Sequence, residues 1–447
     1  MDVLHVLHQF PPETRGGSES YVHDLARLQR SAGIDAQVLT GSIQPWPEVG
    51  IDEYEYHGIP VHRLHRNDTY FDHHIKVWHP GVADLFGQFL RQHRPKVVHL
   101  HHWVRLSSDL IAVAHALGIP AVVTLHDVYT TCPRAFRSRA DDPACSRPVG
   151  GESCWQCVPR YGHESQEELR EGVDLFADSL RHELALAHTV LVAVPAIADL
   201  LARYSGLPRE RYRVLSLGYR PRFAGAPKLS GPQPGETFRF AFWGGVGPHK
   251  GVRVTIEALR RLLVSGAKAE LLVLGGFDYP DFERQLREQA KDLPVHFSGA
   301  FVHEQLRAAH PHCGVFPSMC IETFGLVLDE CFELGLPCIV SDIGAFPHRI
   351  GGGGLVTRAT DPDSIAAAMR RILEEPGLYQ QLAANLPPPS PNLETHMRSL
   401  SAIYAQAQQE PLPEPCAPAV SQLRRMQFLM TQRDSALNRL MPPDGLH

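Results

Sequence analysis

The chain has 447 residues, enough for two or three domains and a large core. Its hydrophobic fraction of 43% and charged fraction of 21% are those of an ordinary soluble globular protein, and a formal net charge of −6 gives no reason to expect a nucleic-acid partner. The opening Met1-Asp2-Val3-Leu4-His5-Val6-Leu7-His8 has no basic start and reads as a strand rather than a signal peptide, and no apolar run approaches the roughly 20 residues of a membrane helix. The expected compartment is cytoplasmic and reducing, with a peripheral contact at the inner face of the membrane left open, so the nine cysteines are not read as a disulfide framework.

Short apolar runs alternate with helical patterns through the first half, the mark of a parallel α/β domain. Val3 to Leu7 is the first predicted strand. A loop from Gln9 to Gly17 follows, ending in Gly16-Gly17. Two adjacent glycines let backbone approach a ligand, or simply make a tight turn. Ser18-Glu19-Ser20 is expected to cap a helix through Ala32, and Ala36 to Thr40 is the next strand. Pro45 to His79 reads as irregular, rich in His and aromatic residues, and is assigned to acceptor contacts. Val97 to Trp103 is a buried strand with a polar end, Ser107 to Leu117 a helix, and Ala121 to Leu125 a strand with His126-Asp127 at its carboxyl end. Ligands of open α/β sheets gather at the carboxyl ends of strands, which puts His101, His102 and His126 in view. Any one of them, taken alone, is more simply a structural histidine.

Cys132, Cys145, Cys154 and Cys157 fall within 26 residues of a Cys-rich loop, 130–160, spaced C-x12-C-x8-C-x2-C. A loop of this length needs a reason to be ordered. A structural Zn²⁺ or an iron–sulfur cluster on four thiolates would supply one; the alternative is four thiols without a metal. Arg134, Arg137, Arg139, Arg147 and Arg160 make the loop basic, which suits an anionic lipid-phosphate acceptor or an ordinary solvated surface. Gly162 to Leu186 is helical, Thr189 to Val194 a strand, Pro195 to Tyr204 a helix, and Val214 to Gly218 the last strand of the half. Pro221 to Glu236 has little to bury and reads as a linker.

In the second half, Phe238 to Trp243 is a strand. Gly244-Gly245-Val246-Gly247-Pro248-His249-Lys250-Gly251 then feeds a helix from Val252 to Val264. A glycine loop opening a helix is a phosphate cradle, here without the Gly-Lys-Ser/Thr of a Walker motif. Strands follow at Glu270 to Leu274, Val295 to Gly299, Gly314 to Pro317 and Pro337 to Ser341, the glycine run Gly351 to Val356 closes the sheet, and Asp363 to Leu373 is a helix. Leu393 to Ala407 is helical. Beyond Pro411 to Pro418, the helix Val420 to Leu440 has an apolar stripe of Leu423, Met426, Leu429 and Met430 expected to pack on the parent protein.

The densest stretch is Pro317-Ser318-Met319-Cys320-Ile321-Glu322-Thr323-Phe324-Gly325-Leu326-Val327-Leu328-Asp329-Glu330, a strand end turning into a helix. Glu322 lies on the loop, Gly325 at the helix start, and Glu330 about one and a half turns in. A helix N-terminus suits a phosphate, and a carboxylate accepts from the adjacent hydroxyls of a ribose. An isolated pair of glutamates would mean one capping and one solvated acid. Here Pro-Ser, Phe-Gly and the later Glu333-Leu334-Gly335-Leu336-Pro337 occur in order. Together with Thr124-Leu125-His126-Asp127, the following Cys-Pro and C-x2-C, and Lys250-Gly251, the pattern resembles the retaining, nucleotide-sugar-dependent glycosyltransferases of family 4, the glycosyl transferases group 1. It does so from residue 1 to about 407.

The resemblance implies an α/β, GT-B fold: two Rossmann-like domains facing across a cleft, with a C-terminal crossover helix. The expected divisions are 1–220 for the acceptor domain, 221–236 for the linker, 237–392 for the donor domain, 393–410 for the crossover helix and 411–447 for a Pro-rich linker and amphipathic helix. It implies catalytic roles for His126, Glu322 and Lys250, with His126 at the donor sugar and Asp127 orienting its ring. Gly16, Gly17, Gly244, Lys250, Phe301, Glu322, Thr323, Phe324, Gly325, Leu326 and Glu330 would bind the donor, Phe301 near the base and Glu330 at the ribose. Where this chain has Gly245, the family has Arg. Either Lys250 and helix dipoles suffice for the diphosphate, or His249 or Arg253 shares the charge. No metal is required for transfer. The implied partners are a UDP- or GDP-sugar and a glycan or lipid-linked acceptor, in polysaccharide or glycoconjugate synthesis. A nucleotide-sugar 2-epimerase and a non-catalytic sugar-nucleotide-binding protein are the alternatives.

Overall fold

Near-continuous buried apolar runs, rather than alternating ones, build the inner strands of both sheets, as expected where helices cover both faces of a parallel sheet. The computed structural model describes residues 1–440 except 15, 45, 69–77, 140–141, 161, 163, 278, 417 and 419–420. The chain forms two compact units: Met1–Phe136, Ser146–Leu215 and the chain from Leu393 onward make the first, Arg137–Cys145 and Ser216–Asn392 the second.

The first unit runs β1 (Val3–Leu7), α1 (Gly17–Ser31), β2 (Ala36–Gly41), β3 (Gly50–Tyr56), β4 (Ile59–His65), α2 (Pro80–His93), β5 (Val97–Leu100), α3 (Leu110–Ala116), β6 (Ala121–Thr124), α4 (Gly151–Cys154), α5 (Gln166–Leu186), β7 (Thr189–Val192), α6 (Pro195–Ser205) and β8 (Tyr212–Val214). Its sheet has the order β3-β4-β2-β1-β5-β6-β7-β8, parallel except for the antiparallel pair β3–β4. The stretch expected to be irregular therefore carries a hairpin, turned by His57 (φ 51°) and Gly58 (φ 80°), the two left-handed residues that match strand twist. Asp52, Glu53 and Glu55 disguise β3 as a loop, because it is an edge strand with a wet face. Residues 45 and 69–77 of that stretch lie outside the described residues. Helix α2, not anticipated, starts at a proline behind the capping ring of His79.

Two boundaries also differ from expectation. Gly16, in extended conformation, is the N-cap of α1 in place of Ser18-Glu19-Ser20. Helix α5 begins at a Ser165–Glu168 capping box, three residues after the expected Gly162.

The second unit runs β9 (Phe238–Trp243), α7 (Val252–Leu263), β10 (Ala269–Leu274), α8 (Pro280–Ala290), β11 (Val295–Gly299), α9 (His303–Ala308), β12 (Cys313–Phe316), α10 (Leu326–Leu334), β13 (Cys338–Ser341), α11 (Phe346–Arg349), β14 (Gly354–Thr357), α12 (Pro362–Glu374) and α13 (Leu378–Ala384). Its sheet order is β11-β10-β9-β12-β13-β14, all parallel. The strand-order reversal beside β9 places the ends of β9 and β12 next to each other, the kind of switch point where ligands of doubly wound sheets bind.

The chain then returns to the first unit as α14 (Leu393–Gln409) and α15 (Gln422–Leu440). The face of α15 differs from the expected stripe. Met426 and Met430 are exposed, while Phe428 is buried against Leu175 of α5. Gln432 Nε2 donates to Glu168 Oε1 at 3.0 Å and Arg424 Nε to Glu171 Oε1 at 3.0 Å, so polar groups carry much of this docking.

Candidate active site

The turn from β12 into α10 is built by close approach. Its N-cap, Gly325, has φ 82° and ψ 82°, and a Cβ there would lie 2.1 Å from Phe346 Cε1. Gly325→Ala should therefore cost roughly 2–4 kcal/mol, the sum of left-handed strain and overpacking, and lower the urea midpoint without changing its slope. Behind the turn, Arg349 Nη1 donates to the carbonyls of Phe324 (3.1 Å) and Gly325 (2.9 Å), and Nη2 to both oxygens of Asp329 (2.9 Å each). The guanidinium also stacks 3.6 Å over the Phe324 ring.

Glu322 and Lys250 meet at the front. Lys250 Nζ donates to Glu322 Oε1 at 2.6 Å, and Ser318 Oγ to the same oxygen at 2.8 Å. Two glycines permit this meeting. A Cβ on Gly251 would lie 2.1 Å from Pro317 O, and one on Gly344 would lie 2.5 Å from Glu322 O. Burial alone would raise the Glu322 carboxyl; Lys250, Ser318 and His249 outweigh it and hold the group below its ordinary value. Of the two cations that could stand in for the family arginine, His249 is thus the one beside the site. Arg253 instead turns to α8, with Nη2 donating to Gln285 Oε1 at 2.5 Å and its guanidinium 5.5 Å from the Phe282 ring.

Glu330 points from α10 to the end of β9. Its Oε2 accepts from Trp243 Nε1 at 2.5 Å and its Oε1 pairs with His303 Nε2 at 3.0 Å. Phe301 stands near, its ring 6.1 Å from that of His303. Thr323 and Phe324 are buried, and Leu326 is the first residue of α10. Gly244 (φ 120°) donates its N–H to Leu274 O at 3.0 Å, and a Cβ on Gly275 would fall 1.8 Å from Gly244 O. Neither Trp243 nor His303 was singled out from sequence, because their role depends on sheet order.

In the first unit His126 follows β6 and is held differently from expectation. Asp127 Oδ2 pairs with His102 Nε2 at 3.0 Å and its Oδ1 accepts from the Tyr129 N–H at 2.8 Å. The carboxylate therefore orients His102, since adjacent residues leave a strand end in opposite directions. His126 Nε2 meets His101 Nδ1 at 2.9 Å, and its ring lies 5.2 Å from that of Tyr21 in α1. Burial pushes His126 down to about 4. Gly16 and Gly17 open α1. A Cβ on Gly16 would lie 2.5 Å from Glu19 Oε2, while the space beside Gly17 is open.

A family model described as a glycosyl transferase 4-like domain matches residues 16–218, and one for glycosyl transferases group 1 matches 237–375. The phosphatidyl-myo-inositol mannosyltransferase of Mycolicibacterium smegmatis is 32% identical over 384 residues, 80% of this chain and 82% of that protein. The chain belongs to the GT-B glycosyltransferases of family 4. The glycosyltransferase is also 26% identical over 407 residues to a glycogen synthase of Mycobacterium tuberculosis, covering 86% of this chain and 88% of that one. Its fold matches the sucrose-phosphate synthase of Thermosynechococcus elongatus with a TM-score of 0.61 at 18% identity, over 91% of this chain and 99% of that one. It matches HepE of Anabaena in complex with UDP-glucose with a TM-score of 0.59 at 17% identity, over 90% and 99%. The glycosyltransferase is an enzyme of the class that takes its sugar from a nucleotide-sugar donor. Among its described residues no helix is long and apolar enough to cross a membrane.

The cysteines of this glycosyltransferase form no disulfide. Cys157 Sγ accepts from Arg134 Nη1 at 3.4 Å, and Cys154 Sγ approaches Pro148 O at 3.9 Å. Cys132, Cys145, Cys154 and Cys157 are each half-buried. Segment Arg137–Cys145 belongs to the second unit. There Ser138 Oγ donates to Met319 O at 2.5 Å, three residues before Glu322.

Proposed function

We propose that this glycosyltransferase moves a hexose, with retention of anomeric configuration, from a UDP- or GDP-sugar to a hydroxyl of a glycan or lipid-linked acceptor in surface polysaccharide or glycoconjugate synthesis. The carrying observation is the joint placement of Lys250–Glu322 and Glu330–Trp243–His303 around the start of α10. A leaving diphosphate needs fixed positive charge aimed at it before it forms. Lys250 and the N-terminal amides of α10 supply that charge. His249 adds to it when protonated. Glu330, with both oxygens directed by Trp243 and His303, accepts from the ribose diol. His126 accepts from or donates to a sugar hydroxyl. Glu322 is held by Lys250 and Ser318 and acts as a positioning group, not as one of a hydrolase pair. Charge on the diphosphate is met by these groups, so transfer should persist in EDTA. The acceptor binds to loops of the first unit, with peripheral contact to the inner face of the membrane if it is lipid-linked.

The test is thermal stabilisation by UDP-, GDP- and ADP-sugars on wild type and Glu330→Gln. One nucleotide class should raise the melting temperature by several degrees through mass action, since saturation at about 100 Kd is worth about 2.7 kcal/mol. Glu330→Gln should lose most of that shift, because an amide replaces one acceptor with a donor. The product's anomeric proton coupling then reports retention. No shift from any donor would sink the reading. Isomerised donor in the absence of acceptor would replace it with the epimerase.

A further inference from the structure

A row of buried imidazoles stands behind His126. Strands β1 and β5 pair in parallel with His5 opposite His99. Residues two apart on a strand share a face, so His99 and His101 both join His5. Helix α1 meets this row through Gln29 and helix α14 through Tyr404. All these residues lie in the first unit.

The contacts have a direction. Gln29 Oε1 can only accept, so His5 Nε2, at 2.7 Å, carries the hydrogen. A neutral imidazole has one N–H. His5 Nδ1 is then an acceptor and takes the hydrogen of His101 Nε2 at 3.1 Å. By the same step His101 Nδ1 takes the hydrogen of His126 Nε2 at 2.9 Å. The ring of His126 is left with its lone pair on Nδ1. Burial pushes His5 and His126 down to about 4 and His101 well below its ordinary value, which keeps the row neutral near pH 7.

Ring nitrogens of His5, His99 and His101 also lie within 4.8 Å of one another, close enough to share a metal ion. But His99 already uses Nδ1 with the Tyr404 hydroxyl at 2.6 Å and Nε2 with Thr124 Oγ1 at 2.8 Å. A metal there would strand one of those buried hydroxyls, so the hydrogen-bonded row is the better account.

We propose that His101, backed by His5 and Gln29, is a positioning residue that fixes His126 as its Nε2–H tautomer, with the ring lone pair on Nδ1. The consequence for turnover rests on the reading of His126 as a sugar-contacting residue. The row also explains why His5 and His101 occupy a core where apolar residues would pack as well.

The experiment is a two-bond ¹H–¹⁵N correlation spectrum of the full chain labelled at histidine, without donor, with His126 assigned through His126→Gln. Wild type should show His126 as the Nε2–H tautomer. His101→Phe removes the acceptor; it should give a tautomer mixture and lower kcat about tenfold, the worth of one hydrogen bond, with donor KM within about twofold. His101→Gln can still accept from His126 and should keep the tautomer and most of kcat. An Nδ1–H or doubly protonated His126 in wild type would overturn the proposal. So would a folded His101→Phe with unchanged tautomer and kcat, or a stoichiometric metal lost in His101→Gln. The expected tautomer in a protein that turns over no donor would support the positioning by His101 and overturn the transfer reading instead.

Discussion

Lys250→Ala should lower kcat/KM for the nucleotide sugar by about a hundredfold or more, the usual scale for removing one preorganised donor to a developing charge. The effect should sit at the upper end because the position of the family's second cation is Gly245, and Arg253 is engaged with α8. It should fall on kcat more than on donor binding, since the diphosphate gains charge as the bond to the sugar breaks. The substitution also strips the half-buried Glu322 of its Lys250 partner at 2.6 Å. In wild type the folded Glu322 is held below its unfolded value of 4.5. The stability this contributes is fully present above that value and is lost as pH falls through the lower folded value. In Lys250→Ala burial is opposed only by Ser318 and His249, so the carboxyl should titrate higher. The gap in melting temperature between wild type and variant should therefore be widest near neutrality and close as the pH falls through the lowered folded value of Glu322. A variant with wild-type kcat would remove Lys250 from the chemistry, and a pH-independent gap would mean that the pair does not couple to folding.

The β12–α10 turn was legible because its geometry is local. A strand end, a glycine turn and a helix within fourteen residues fix Glu322, Gly325 and Glu330 relative to one another whatever surrounds them. What those glutamates touch was not legible. Lys250 is 72 residues from Glu322 in sequence, and Trp243 is 87 from Glu330. Both contacts exist because β12 lies beside β9, a choice of sheet order that no single strand encodes. The histidine row follows the same logic. His99 and His101 could be seen to share a face, but His5 joins them only through the pairing of β1 with β5. Asp127 was assigned to its sequence neighbour, whereas strand geometry sends it to His102. The hairpin β3–β4 and the buried face of α15 escaped for another reason. Both are held by polar pairs, Asp52 with Arg63 and His65 in one case, buried Gln432 and exposed Arg424 with α5 in the other. A hydrophobic pattern does not register such contacts.

Arg349→Met should destabilise the protein by roughly 3–5 kcal/mol, the cost of breaking a buried ion pair from one side. Asp329 is fully buried, and Arg349 Nη2 bridges both of its oxygens. The same guanidinium satisfies the carbonyls of Phe324 and Gly325 and donates to Ser390 Oγ at 2.8 Å. Methionine fills much of the volume but leaves a buried carboxylate whose remaining described donor is the Ser390 N–H at 2.7 Å. Asp329→Asn in the Arg349→Met background should recover part of the loss, because a neutral amide costs less to bury than an unpaired charge. Urea unfolding of the two single variants and the double variant would measure the coupling. Loss below 1 kcal/mol would mean that water reaches Asp329 and that the pair is not what holds the turn. The functional consequence follows from position. Arg349 is not itself assigned to the donor, yet it fixes the carbonyls of Phe324 and Gly325, two residues that are. Its loss should therefore raise donor KM even under conditions where the variant remains folded, whereas a purely global destabilisation would leave KM unchanged in the folded fraction.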